Sequence, residues 1–246
     1  MLPIRRDIRF ALPAERIKNW HEQGPVVSHF FNALSLLFPQ GELFFMDSVR
    51  HYRGQIDDAE LKKEIQGFIG QEAMHSREHV AYNDLLQAAG LPAHTLDRRL
   101  KFFLDLQKKH LPPSFNLAVT IALEHYTAML AEILLSDPSR FGDSLKGYQQ
   151  MWYWHALEET EHKAVAFDVW NRVIKPGPAR YLLRTGTMLT TSVFFWLVVL
   201  DFHLRLLIAD RKAGGHVKGF WRMLKFLYGP KGVFPRMLRP WLHYFK

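Results

Sequence analysis

The chain has no cysteine among its 246 residues. No disulfide, thiolate ligand or cysteine-bound iron–sulfur cluster can form, so any metal must be held by imidazole and carboxylate, a donor set that suits iron, manganese or zinc. Long hydrophobic runs are also missing. The longest stretch without a charged residue or histidine, TGTMLTTSVFFWLVVL between Arg184 and Asp201, has 16 residues. About 20 are needed to span a bilayer, so the stretch is expected to form a buried or membrane-surface helix. The opening MLPIRRDIRFALPAERIKNW is broken by charge every few positions and holds no secretory core, which makes a cytoplasmic protein the expectation. There is no Gly-rich phosphate loop, no Gly-x-Ser-x-Gly elbow and no His-Glu-x-x-His, the pattern of single-zinc proteases.

Acidic charge is scarce at one end. From Arg205 to Lys246, ten Lys and Arg face the single Asp210, a net of +9, whereas the preceding 204 residues carry 22 basic and 23 acidic groups. All of the excess positive charge belongs to the tail.

What is present reads as helix. Hydrophobic residues make up 48% and charged residues 23%, which excludes disorder, and the length suffices for a full-sized core. Gly and Pro cluster in a few turns, and no segment between them alternates apolar and polar as a half-buried strand would. The chain is therefore expected to be all-α, with helices over 27–53, 58–89, 95–110, 114–135, 140–174 and 178–212. Asp58 and Ser114 are the expected N-caps. Pro39 and Gly41 suggest a kink or restart just before Glu42. Residues 1–212 form one expected domain and 213–246 a basic, aromatic tail.

Two stretches carry the chemistry. In FIGQEAMHSREH, Glu72 and His75 lie about 60° apart around a helix and His79 falls between them. WHALEETEH repeats the pattern, with His155, Glu159 and His162 within about 60°. One Glu-x-x-His is common by chance; two copies on separate long helices are harder to dismiss. Two further helices offer Glu42 in FPQGELFFMDS and Glu124 in AVTIALEHYTAML, where an unpaired charge is costly to bury. Glu78 and Glu161 are expected on solvated faces. Glu158 points about 100° away from Glu159. The competing reading scatters these groups over surface and core as ordinary polar residues.

The order Glu, Glu-x-x-His, Glu, Glu-x-x-His resembles the ligand set of ferritin-like dimetal carboxylate bundles. The phrases LLFPQGELFF, SVRHY, GFIGQEAMHSREH, YNDLL and LEETEHKAVAFDVW resemble, over about residues 25–210, the bacterial family labelled predicted metal-dependent hydrolase, itself similar to ferritin-like dimetal proteins. The resemblance implies a ferritin-like four-helix bundle with additional C-terminal helices. It also implies two divalent ions, iron first and manganese or zinc otherwise, on Glu42, Glu72, His75, Glu124, Glu159 and His162. The local spacing His-x3-Glu-x2-His is similar to that of di-iron arylamine N-oxygenases, which adds His155 as a third imidazole ligand. The alternatives for His155 are a hydrogen-bonding neighbour of the site or a core histidine, and His79 is the next candidate.

The functional expectation is a di-iron oxidase or oxygenase of a hydrophobic small molecule. The alternatives are a dimetal hydrolase of an ester or phosphoester and a non-enzymatic metal-binding bundle. An electron donor and a homo-oligomer are left open. For residues 205–246 the interleaved aromatics and basic residues suggest an anionic membrane surface ahead of packing on the bundle, and nucleic acid last.

Overall fold

In the computed structural model, which describes residues 2–210 and 216–246, Asp58 starts a 30-residue helix as its side chain implies. Its carboxylate accepts from the backbone amides of Glu60 and Leu61, satisfying two donors of the first turn. The described residues form ten α-helices and no strand, so the chain is all-α. These are α1 (Pro25–Ser35), α2 (Phe38–Tyr52), α3 (Ala59–Ala88), α4 (Ala93–His110), α5 (Pro113–Leu135), α6 (Lys146–His162), α7 (Val165–Val173), α8 (Pro178–Ala209), α9 (His216–Tyr228) and α10 (Val233–His243).

Three boundaries differ from the sequence reading. The expected helix 27–53 is two, parted at Leu36 and Leu37, because Pro39 occupies the first turn of α2, where its missing N–H has no partner to lose. The helix expected from Ser114 begins at Pro113, with Pro112 in the cap position and no side-chain cap. The expected 140–174 starts only at Lys146 and divides at Lys163 and Ala164 into α6 and α7, directly after His162.

α2 packs along α3 and α5 along α6, while α2 with α5 and α3 with α6 close the four into a bundle. A ferritin-like bundle is consistent with this arrangement. α4 and α7 pack at its flanks. An outer layer consists of α8 over α1 and α5, α9 over α1, and α10 over α5 and α9. The expected domain boundary at 212/213 falls in 211–215, outside the described residues. Beyond it, Met223, Phe226, Leu227, Val233 and Met237 are buried in the same hydrophobic cluster as the bundle.

The bundle core also fixes its polar interior. Fully buried Phe68 on α3 contributes about 2–3 kcal/mol by burial, and its ring meets that of His162 edge-on at 5.1 Å. Residues before α1 run as an arm along α3 and α6. Gln71 donates to Ile4 O, Phe10 N–H donates to Glu78, and Tyr148 donates to Pro13 O. Gly67 permits this approach, since a Cβ there would overlap Pro3 O.

Candidate metal centre

Helix periodicity delivers the expected side chains to one place. α2 supplies Glu42; α3 supplies Glu72, His75 and His79; α5 supplies Glu124; and α6 supplies His155, Glu159 and His162. Each is at most 3% exposed. Donor atoms of Glu72, His75, Glu159 and His162 lie within 4.8 Å of one another, as do those of Glu42, His79 and His155. The two groups meet where His155 Nε2 stands 3.1 Å from Glu159 Oε1. Glu124 Oε2 joins them at 3.1 Å from His162 Nδ1. All seven expected ligands, with His79, thus occupy one buried cluster.

The cluster is short of hydrogen bonds. Both oxygens of Glu42 and of Glu72, one oxygen each of Glu124 and Glu159, both nitrogens of His75, and the Nε2 atoms of His155 and His162 are buried and form none. An unpartnered buried polar atom costs about 1–3 kcal/mol, so leaving so many without a common partner would be prohibitive. Burial, then the neighbouring carboxylates, push Glu42 and Glu72 well above the ordinary carboxylate range. Burial also raises Glu124, to about 7, against the opposing pull of His162. Glu159 is pushed up by burial too, but the charge of His162 and the contact with His155 outweigh it and hold its pKa low. His162 resists the lowering effect of burial and, beside Glu159 and Glu124, rises to about 9. Two divalent cations would balance the four carboxylates and give the bare oxygens and nitrogens a partner. The residues present therefore fit a pair of such ions, and the all-oxygen-and-nitrogen donor set suits iron, manganese or zinc.

Hydrogen bonding separates the two candidate third imidazoles. Asn83 Nδ2 donates to Ser35 O, which turns Oδ1 toward the Ser35 hydroxyl, and that hydroxyl donates to it at 2.8 Å. Ser35 Oγ can then only accept from His79 Nδ1, also at 2.8 Å. His79 Nε2 is left as acceptor for His155 Nδ1 at 3.0 Å. The relay ends with His155 Nε2 turned to Glu159 Oε1 at 3.1 Å, where a shared cation would satisfy both atoms. Both nitrogens of His79 are occupied. His155 keeps a free donor atom, and His79 orients it.

Three carboxylates behave differently from the sequence reading. Glu158, set aside because it faces away from Glu159, is fully buried with Oε2 3.2 Å from His75 Nε2. Arg6 Nη1 and Trp154 Nε1 donate to its other oxygen at 3.0 and 2.8 Å. A buried carboxylate behind an imidazole fixes the ring and leaves His75 Nδ1 turned to Glu159 at 3.5 Å. Glu161, expected on a solvated face, is covered by the arm and bonded by Arg6 and Gln71. Glu78, likewise expected in solvent, is buried and accepts from Arg77 and the Phe10 amide. Both were misplaced because the covering arm lies some 70 to 155 positions away in sequence. The Arg-Arg pair within IRRDIRF was the one signal available, and it does not name a partner.

A cavity of about 60 Å³ reaches His155 and Glu159 from the side of the outer layer. Its wall includes Phe30, Phe38, Leu130, Trp152, Phe226 and Val233. Besides Glu159, Arg140 is its only Asp, Glu, Lys or Arg among the described residues, and Arg140 donates to Lys231 O.

Comparison with curated proteins and with solved structures gives no match. A family model described as predicted metal-dependent hydrolase matches residues 4–246, nearly the whole length, including the arm and the outer layer. The chain with this buried cluster of carboxylates and imidazoles belongs to the predicted metal-dependent hydrolase family.

Proposed function

We propose that this chain is a dimetal hydrolase that cleaves an ester with an apolar acyl or alkyl part. The observation that carries the reading is the set of bare donor atoms on four helices, converging beside an apolar cavity. Glu42, Glu72, His75, Glu124, His155, Glu159 and His162 are the proposed ligands. Two bound divalent ions would supply an activated water and polarise the ester carbonyl.

The chain's own residues do the rest. Glu42, Glu72, Glu124 and Glu159 would hold the ions together with His75, His155 and His162, and their negative charge would offset that of the ions. Glu158 and Arg6 keep His75 in register, and the relay from Asn83 through Ser35 and His79 does the same for His155. His162 Nδ1 donates to Glu124 Oε2, leaving Nε2 toward the cluster. Phe30, Phe38 and Trp152 exclude bulk water and receive the apolar part of the substrate. At about 60 Å³ the cavity holds only a small group as it stands, so a longer chain enters by displacement of its aromatic wall.

A second reading, iron-dependent oxidation of an apolar small molecule by dioxygen with an external electron donor, is favoured by the nearly all-apolar cavity and the resemblance to ferritin-like ligand sets. The two separate in one experiment. Chelator-treated protein is reloaded anaerobically with zinc, manganese or ferrous iron and assayed on p-nitrophenyl esters of increasing chain length. Metal-dependent cleavage without oxygen supports hydrolysis. No cleavage with any ion, together with oxygen uptake by the iron form, would replace hydrolysis with oxidation. Metal uptake with neither activity would leave a non-enzymatic metal-binding bundle.

A further inference from the structure

α8 is long and apolar, yet little of it is covered. Only 22% of its most hydrophobic window is buried, against 72% for α5, the other helix of comparable hydropathy. Leu182, Leu189, Val193, Leu197, Leu200 and Leu204 are each between 51 and 66% exposed. At 100° per residue they fall within an arc of about 80°, and at 1.5 Å rise they form a stripe about 33 Å long. The arc holds no charged residue. Its flanking Asp201 is paired with Arg99 and Arg205 at 3.1 and 2.9 Å, so no bare acidic group borders it. A continuous apolar strip of this length is not an ordinary solvent face.

The opposite face of the helix is held by the fold. Val199, Phe202 and Leu206 are buried in the core, and His203 Nε2 bonds Val26 O at 2.9 Å. Although its uncharged run was expected to be too short, the 32-residue α8 is long and apolar enough to cross a bilayer; here it is tied to α1 and presents its free face outward.

Charge decides between a lipid surface and a second copy of the chain. Residues 216–246 contain seven Lys and Arg and no Asp or Glu. Lys218, Arg222, Lys231 and Arg239 are exposed, and so are Phe220 and Trp221 beside the first two. α9 shares α1 with α8, and α10 is joined to α8 by a Trp241–Ser192 hydrogen bond of 3.0 Å and by a tilted ring contact of Trp196 with Phe234 at 4.6 Å. Apolar stripe and basic residues therefore belong to one layer. Two copies packed through it would bring like charges together, whereas an anionic bilayer complements both the charge and the apolar strip.

We infer that the outer layer of α8, α9 and α10 docks the protein on an anionic membrane surface, with the free face of α8 lying in the headgroup boundary. Phe226 and Val233 of this layer also line the cavity that reaches His155 and Glu159. If that cavity is the substrate site, as the proposed function has it, docking places its outer wall against the phase in which an apolar ester would dissolve. The docking itself does not depend on the metal centre.

Co-sedimentation of the full chain tests it, using phosphatidylglycerol–phosphatidylcholine vesicles and phosphatidylcholine vesicles. Wild type should pellet with the anionic vesicles and much less with the neutral ones, and high salt should weaken the binding. Leu197→Glu with Leu200→Glu should lower binding by about tenfold or more, since a charge on the inserted face opposes burial. Both sites are exposed, so the helical circular dichroism should be unchanged. Lys218→Glu with Lys231→Glu should remove the preference for anionic vesicles and keeps the test open if the first variant misfolds. Wild type left in the supernatant with anionic vesicles overturns the inference, as does stripe-variant binding equal to wild type. So does a wild-type dimer, seen by light scattering, that the stripe variant makes monomeric while neither binds lipid.

Discussion

Replacing Glu42 with Gln should stabilise the metal-free protein at neutral pH while weakening the metal-loaded one. Glu42 is 1% exposed, neither oxygen has a hydrogen bond, and burial followed by the charges of Glu159 and Glu124 raises its pKa well above 4.5. The folded protein therefore holds this proton to higher pH than the unfolded chain does. The contribution is full below pH 4.5 and is lost as pH rises from there through the raised folded value. Each pH unit across that interval costs the metal-free fold at most about 1.4 kcal/mol. Gln has nearly the same shape and no such cost, though its second amide hydrogen finds no partner, which returns about 1 kcal/mol. The expected net gain therefore grows as pH rises above 4.5 and shrinks to nothing or a small loss near pH 4.5. Urea unfolding of chelator-treated wild type and variant at pH 4.5, 6 and 7 measures it. With metal in excess the order should invert, because saturation at 1,000 times Kd adds about 4 kcal/mol to a protein that binds and little to one that has lost a ligand. A variant less stable than wild type by the same amount at every pH, with and without metal, would refute the reasoning. Glu42 would then be a paired structural charge.

The other predictions concern the remaining ligands and their supports. Glu72→Ala, His75→Ala, Glu159→Ala and His162→Ala should each lower metal content from about two ions per chain to below one by elemental analysis, and full occupancy in any two would sink the assignment. Arg6→Ala should weaken metal binding by about 10- to 100-fold in competition with a chelating dye, because Glu158 loses its cationic partner and His75 its orientation; unchanged affinity would make the arm merely a cover. His155→Ala should alter the absorption spectrum of a cobalt-substituted protein by removing a nitrogen donor, whereas His79→Ala should keep the same donor count with weaker affinity. Identical spectra for wild type and His155→Ala would move His155 out of the ligand set.

The helical class and the twin faces were legible because both are local. Periodicity alone puts Glu72 with His75, and Glu159 with His155 and His162, whatever surrounds the helix. Asp58 caps its own first turn for the same reason, and the missing thiolate fixes the donor chemistry before any folding. The break after His162 was not legible, since no Pro or Gly marks it.

What the tertiary structure decided depends on partners distant in the chain. Glu161 reads as a surface residue, and Glu158 as one turned away from Glu159, until Arg6, about 150 positions earlier, closes over them. His79 and His155 occupy mirrored places on their helices, and only the hydroxyl of Ser35 from α1 assigns one the free nitrogen and the other the relay. α5 and α8 pose the same problem for hydrophobicity. Both are apolar enough to be core, but α5 is enclosed by α6, α8 and α10, while α8 lies over α1 and α5 with its outer face uncovered among the described residues. Composition sets how strongly a helix avoids water; which of its faces is covered is set by the number of neighbours the chain has left to place there.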